Sequence, residues 1–127
     1  MPNKIIYEYA IIRVVPKVER EEFINVGVIV YARRKKYLGI QYHLDEKRLT
    51  AFSKDIDIDK IEKYLKAWEL VCQGGSAGGP IGALEQHVRY RWLTASRSSI
   101  IQSSATHPGL CEDPEKILVD IFERYVL

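Results

Sequence analysis

A chain of 127 residues, 46% hydrophobic and 28% charged, has the size and balance of one ordinary globular domain. Its 19 Lys and Arg against 17 Asp and Glu leave a net charge of +2 at pH 7, too weak a field to imply nucleic acid from composition alone. The first apolar run is interrupted by Glu8 and Arg13, so it reads as neither a signal peptide nor a membrane span; a reducing, bacterial-type cytoplasm is the expected compartment, with Cys72 and Cys111 as free thiols rather than a disulfide.

Residues Ile5 to Val15 are rich in β-branched and aromatic side chains and predict a strand ended by Pro16. Both of its faces are largely apolar, so it is expected to be covered on both sides. Lys17 to Glu22 reads as a loop or a single helical turn. Ile24 to Ala32 predicts a second strand, with Gly27 marking a bulge or a close backbone approach. Arg33, Arg34, Lys35 and Lys36 form a basic turn, and Tyr37 to His43 returns as the third strand of a hairpin.

Helices follow. Asp45 is placed to cap a short one running through Phe52. Asp59 and Glu62 stand at capping-box spacing, ahead of Ile61, Tyr64, Leu65, Trp68, Val71 and Cys72 recurring at helical spacing. Gly74 to Gly79 reads as a flexible loop. Pro80 suits the first turn of the next helix, with Ile81, Leu84, Val88, Trp92 and Ala95 as its buried face. Ser99 to Ser103 predicts a fourth strand. Asp113 and Pro114 open a last helix with Ile117, Leu118, Ile121, Phe122 and Tyr125 inward. Strands followed by helices imply an α+β fold with residues 1–127 as one domain: a mainly antiparallel sheet of about four strands packed with three to four helices.

The chemistry concentrates between Ala95 and Gly109, where Arg97, Ser98, Ser99, Gln102, Ser103, Ser104, Thr106 and His107 surround only Ile100 and Ile101. Hydroxyls, amides and a guanidinium all donate to oxygen, so the collection suits an anion or a polar partner. Arg13, inside an apolar strand, is the natural second cation and needs a partner there. An anion pocket is therefore expected from Arg13, Asn25, Arg97, Ser98, Ser99, Gln102, Ser103 and His107, with Glu22 near Asn25. The competing reading pairs Arg13 with Glu21 or Glu22, leaves the serines on an edge strand, and gives Asn25 and Gly27 to turn chemistry.

Other chemistries find less support. His107 is a lone candidate for a general base, without a thiol nucleophile in register. The spacings of His43, His87, His107, Cys72 and Cys111 match no metal motif, so no metal and no cofactor are expected. Gly74 to Gly79 lacks the Gly-Lys-Ser/Thr ending of a phosphate loop. Arg33, Arg34, Lys35 and Lys36, flanked by Tyr31 and Tyr37, read either as a nucleic-acid contact or as a solvated hairpin tip that discourages edge pairing.

Several motifs carry a resemblance together: Tyr7 and Tyr9, Arg13, Val15-Pro16, Glu22 through Val28, Trp92-Leu93, Arg97 through Gln102, His107-Pro108-Gly109 and Asp113-Pro114. In that order, over nearly the whole chain, they resemble the bacterial domain-of-unknown-function family numbered 3037. The resemblance implies no activity. Through gene context, it implies a partner or modulator of a HipA-like kinase. The sequence thus supports a non-catalytic binding or regulatory module engaging a protein partner. A nucleic-acid binder and an enzyme acting on a phosphorylated or acidic small molecule are the alternatives.

Overall fold

A computed structural model describes residues 3–97 and 99–127. Three strands, β1 (Ile5–Val14), β2 (Ile24–Ala32) and β3 (Tyr37–Tyr42), make an antiparallel meander. The other side of β1 pairs with β4 (Ile101–Ser103) along Ile12–Val14 and with β5 (His107–Cys111) along Ile5–Tyr9. These two short strands share one outer place in the sheet, as a single strand interrupted in the middle. Ser104 bridges the interruption: its N–H donates to the Ile11 carbonyl and its hydroxyl accepts from the Ile11 N–H, both at 2.8 Å. Without that hydroxyl a buried sheet amide would lack a partner. The expected fourth strand is shorter than 99–103. Its continuation in β5 carries Pro108 and Gly109, both of which an edge position tolerates.

Alternation along β1 sends Ile12 and Val14 to one face of the sheet and Tyr7 and Ile11 to the other. The first face is covered by α1 (Glu46–Phe52), α2 (Ile58–Gln73) and α4 (Gln86–Thr94), through Leu49, Ile61, Leu65, Trp68, Tyr90 and Leu93. The second is covered by α5 (Pro114–Tyr125), through Leu118, Ile121 and Phe122. This is an α+β fold with helices on both faces of an antiparallel sheet. The β1–β2 register shifts at Val26, between the pairs Ile12–Gly27 and Arg13–Asn25. A Cβ on Gly27 would stand 2.9 Å from the Gln41 carbonyl oxygen and from Tyr42 Cβ, so the glycine answers to a close approach of β3.

Local capping starts the helices largely as expected. The carboxylates of Asp45 and Asp113 accept from Arg48 N (3.1 Å) and Glu115 N (3.0 Å), and Pro114 occupies the first helical position. Helix α2 is capped by Asp57, which accepts from Lys60 N at 3.2 Å; Asp59 already lies inside the first turn. Its end departs from the expected flexible loop. Gly74, at φ +81, terminates α2 with its N–H on the Leu70 carbonyl, and the Gly75 N–H donates to the Gly82 carbonyl at 2.9 Å. Residues Ser76–Gly78 form a 3₁₀ turn that leads into α3 (Gly79–Gly82).

Pro80 therefore opens only the four-residue α3, and α4 is a separate helix with a different buried face. Tyr90 and Leu93 are inward, whereas Leu84, Val88 and Trp92 are 43%, 37% and 37% exposed. The cause is Arg89, whose Nη1 donates to the carbonyls of Val71 (2.8 Å) and Cys72 (2.9 Å) and whose Nε donates to that of Leu84 (3.0 Å). Those bonds turn a polar side of α4 onto the C-terminus of α2. Tyr64 and Tyr125, also expected inward, are both exposed. Among the described residues no helix is long and apolar enough to cross a membrane.

Candidate functional site

The ladder brings three of the anticipated residues into one row. Arg13 pairs with Asn25 on β2 and with Gln102 on β4, so the three side chains lie abreast on the α5 face. The Arg13 guanidinium stacks on Phe23, 4.1 Å from the ring centre. Asn25 Nδ2 donates to the Tyr125 carbonyl at the end of α5 (3.3 Å), and Gln102 Nε2 to the Ser99 carbonyl (2.9 Å). Among the described residues Arg13 Nε and Asn25 Oδ1 are buried without a hydrogen-bond partner. Glu22 pairs instead with Arg20 at 2.5 Å, and among the described residues no ion pair joins Arg13 to Glu21 or Glu22.

Arg97 is elsewhere. Its guanidinium lies 4.7 Å from the Trp92 ring and 5.3 Å from that of Trp68 and donates to the Trp92 carbonyl. Burial pushes its pKa down. Trp68 belongs to the core under α2, on the face opposite Arg13, so the two arginines do not share a pocket. Parity along β1 decides this: Arg13 alternates with Ile12 and Val14, which point toward α2. Ser98 lies outside the described residues. Three serines of the stretch donate locally, Ser99 Oγ to the Ile101 carbonyl (2.5 Å), Ser103 Oγ to that of Ser104 (2.8 Å) and Ser104 Oγ to that of Ala105 (2.8 Å). These are short-range side chain-to-backbone bonds of the kind Ser makes where a strand is interrupted. His107 is exposed on β5, its ring 5.3 Å from that of its cross-strand partner Tyr9.

A different constellation forms where α4 leaves the end of the sheet bare. A cleft of about 560 Å³ opens there with Ile6 and Pro108 in its lining. Four cations line it, Lys4, Arg33, Arg34 and Arg91, together with His87 and one carboxylate, Glu8. Arg33 and Arg34 arrive on the 3₁₀ turn Arg33–Lys35, closed by Lys36 at φ 50. The Lys36 carbonyl accepts from Gln86 Nε2 at 2.9 Å, which ties the turn to α4. Lys35 lines a separate cavity beside Asp113, so the basic turn does not act as a single patch. Tyr31 and Tyr90 back the cleft, stacked on each other at 5.3 Å. The Tyr90 hydroxyl bonds Thr106 Oγ1 at 2.6 Å, and burial pushes its pKa up to about 12, so it stays a neutral phenol.

Residues 9–126 match the family model described as protein of unknown function, DUF3037. The chain belongs to the DUF3037 family. No match was found among curated proteins or among solved structures. Within this DUF3037 protein the matched span includes Arg33, Arg34, His87, Tyr90, Arg91 and Pro108 of the cleft, while Lys4, Ile6 and Glu8 precede it.

Burial pushes the Cys72 thiol up to about 12, and Cys111 is raised by burial and by Asp113, so neither is an activated nucleophile. Among the described residues no three His, Cys, Asp or Glu side chains converge as a metal site would need. The basic turn and the flanking Tyr31 stand out in the sequence, whereas Lys4, Ile6, His87, Tyr90 and Arg91 do not. Residues 4–8, 31–34, 87–91 and 108 meet only through the β1–β2 and β1–β5 registers and the docking of α4, and no local pattern announces that meeting.

Proposed function

We propose that this DUF3037 protein is a non-catalytic binding module that engages a negatively charged partner, with the cleft between α4, the Arg33–Lys35 turn and the end of β1 as its site. The observation that carries the reading is the local imbalance of charge: four cations face one carboxylate in a chain whose net charge is only +2. Such a field attracts anionic groups and orients their approach. The row of Arg13, Asn25 and Gln102 is engaged in part by Phe23, the Tyr125 carbonyl and the Ser99 carbonyl, with Arg13 Nε and Asn25 Oδ1 left without partners among the described residues. A HipA-like kinase, the partner implied by the family resemblance, is the first protein to test.

A nucleic-acid ligand is the second reading, favoured by the arginines and tyrosines meeting in one cleft. It is weakened by the burial of Tyr31 and Tyr90, at 8% and 3% exposure, whose faces are turned to each other rather than offered to bases. The test is charge reversal: Arg34→Glu and Arg91→Glu should weaken anisotropy-monitored binding of fluorescein-labelled polyglutamate, and co-purification of the kinase, without lowering Tm. Undiminished binding of both would remove the cleft as the site.

A further inference from the structure

We infer that the occupant of this cleft is an acidic amphipathic helix presented by a partner protein, its aliphatic stripe on Ile6 and Leu110 and its carboxylates toward Arg33, Arg34 and Arg91. The inference rests on the cleft being the binding site proposed above.

Ile6 and Leu110 stand directly opposite each other in the β1–β5 ladder, and they are 66% and 62% exposed. Parity along β1 puts them on the face that carries Ile12 and Val14, which α2 and α4 cover farther along the strand. The sheet thus continues past the end of its helical cover with two adjacent aliphatic side chains bare, Ile6 in the lining of the cleft with its cations and Leu110 beside it across the ladder. An apolar floor within a polar rim is the make-up of a protein contact. Phosphate alone gains nothing from such a floor.

The shape of the occupant follows from what the surroundings refuse. Addition of a strand at the open edge of β5 meets Pro108, which removes one backbone donor from that edge. Two-fold pairing with a second copy of this chain would press like-charged Arg33, Arg34 and Arg91 together. A helix lying on the bare face needs no donors from the edge. It reads the floor with residues at i, i+3, i+4 and i+7 and presents carboxylates on either side of that stripe.

The experiment is a display selection of randomised peptides on the immobilised 127-residue chain, followed by anisotropy with the fluorescein-labelled consensus peptide. The enriched sequences should be net negative with helically spaced apolar residues. Ile6→Ser and Leu110→Ser, both at exposed positions and checked by thermal melts, should each weaken the consensus peptide about tenfold, equivalent to about 1.4 kcal/mol. Leu110→Ser should leave polyglutamate binding unaltered, since that binding is assigned to the cations of the cleft. Neutral or basic consensus sequences, or affinity that survives both serine variants, would overturn the acidic helix while polyglutamate still reports on the cleft. Two further outcomes also overturn it: a single-stranded oligothymidine that displaces the peptide and is insensitive to Ile6→Ser, and a dimer in sedimentation velocity that Leu110→Ser abolishes.

Discussion

Arg89 holds the C-terminal end of α2 by donating to the carbonyl oxygen of Cys72 at 2.9 Å, and the same nitrogen reaches the Val71 carbonyl at 2.8 Å. The last carbonyls of a helix have no partner within it, and a cation there also meets the negative end of the helix dipole. Arg89→Met should therefore lower stability by about 1.5–3 kcal/mol, the scale of hydrogen bonds to a charged group. Lys should recover only part of it, because one ammonium does not reproduce the guanidinium fork. Urea midpoints of the three proteins measure this; a Met variant as stable as the parent would show that the bonds contribute nothing net.

Gly109 sits across the ladder from Tyr7, and a Cβ on it would stand 2.6 Å from the phenol Cζ and hydroxyl. Gly109→Ala should cost about 1–3 kcal/mol through this overpacking. The penalty should shrink when Tyr7 is first replaced by Ala, which a double-mutant cycle reads as coupling between the two positions. Equal penalties in both backgrounds would assign the cost to the backbone instead.

The two tryptophans should separate sharply. Trp68 is 4% exposed in the core under α2, and Trp92 is 37% exposed on the outer side of α4. Trp68→Ala should cost about 3–5 kcal/mol, as truncation of a buried aromatic does. Trp92→Ala should cost under about 1 kcal/mol, because most of what it loses is a partly solvated contact with Arg97. Similar losses from denaturant titration of the two variants would contradict this division.

Arg97 lies over the rings of Trp92 and Trp68 and donates to the Trp92 carbonyl. Arg97→Ala should destabilise the fold by about 0.5–2 kcal/mol, the range for a cation over aromatic rings. Polyglutamate binding, assigned to the cleft around Arg34, should stay the same. Lost binding at unchanged Tm would return Arg97 to the ligand site.

Alkaline pH should weaken the fold through two neutral acids. In the folded chain the Cys72 thiol is pushed from 9.0 up to about 12 by burial, and the Tyr90 phenol from 10.0 up to about 12 for the same reason. Each is neutral in both states below its unfolded value. Above that value the unfolded chain releases the proton while the folded chain retains it, so stability falls as pH rises from 9.0 toward about 12. Urea midpoints across that window should decline, and less steeply in Cys72→Ala than in the parent. A profile identical in the variant would remove the thiol from the account.

What the sequence by itself determined were the features whose causes are local. The β-branched and aromatic runs Ile5–Val14 and Ile24–Ala32, the basic turn after Ala32 and the caps at Asp45 and Asp113 announce themselves within a few residues. Tertiary structure decided whatever depends on register and on the rotation of a helix about its axis. Pro108 and Gly109 join a strand because Tyr7 and Glu8 lie alongside them. Leu84, Val88 and Trp92 keep a helical spacing yet face outward, because Arg89 finds the carbonyls of Val71 and Cys72. Arg13 and Arg97 look like one site in the sequence and are separated by the sheet itself, because parity along a strand sends neighbours to opposite faces. The cleft has the same origin: Lys4, Ile6, Arg33, Arg34 and Arg91 are remote in the chain and become neighbours only when β1 pairs with β2 and α4 docks beside them. Spacing along a chain encodes which face a side chain takes, whereas the partner opposite that face is set by packing.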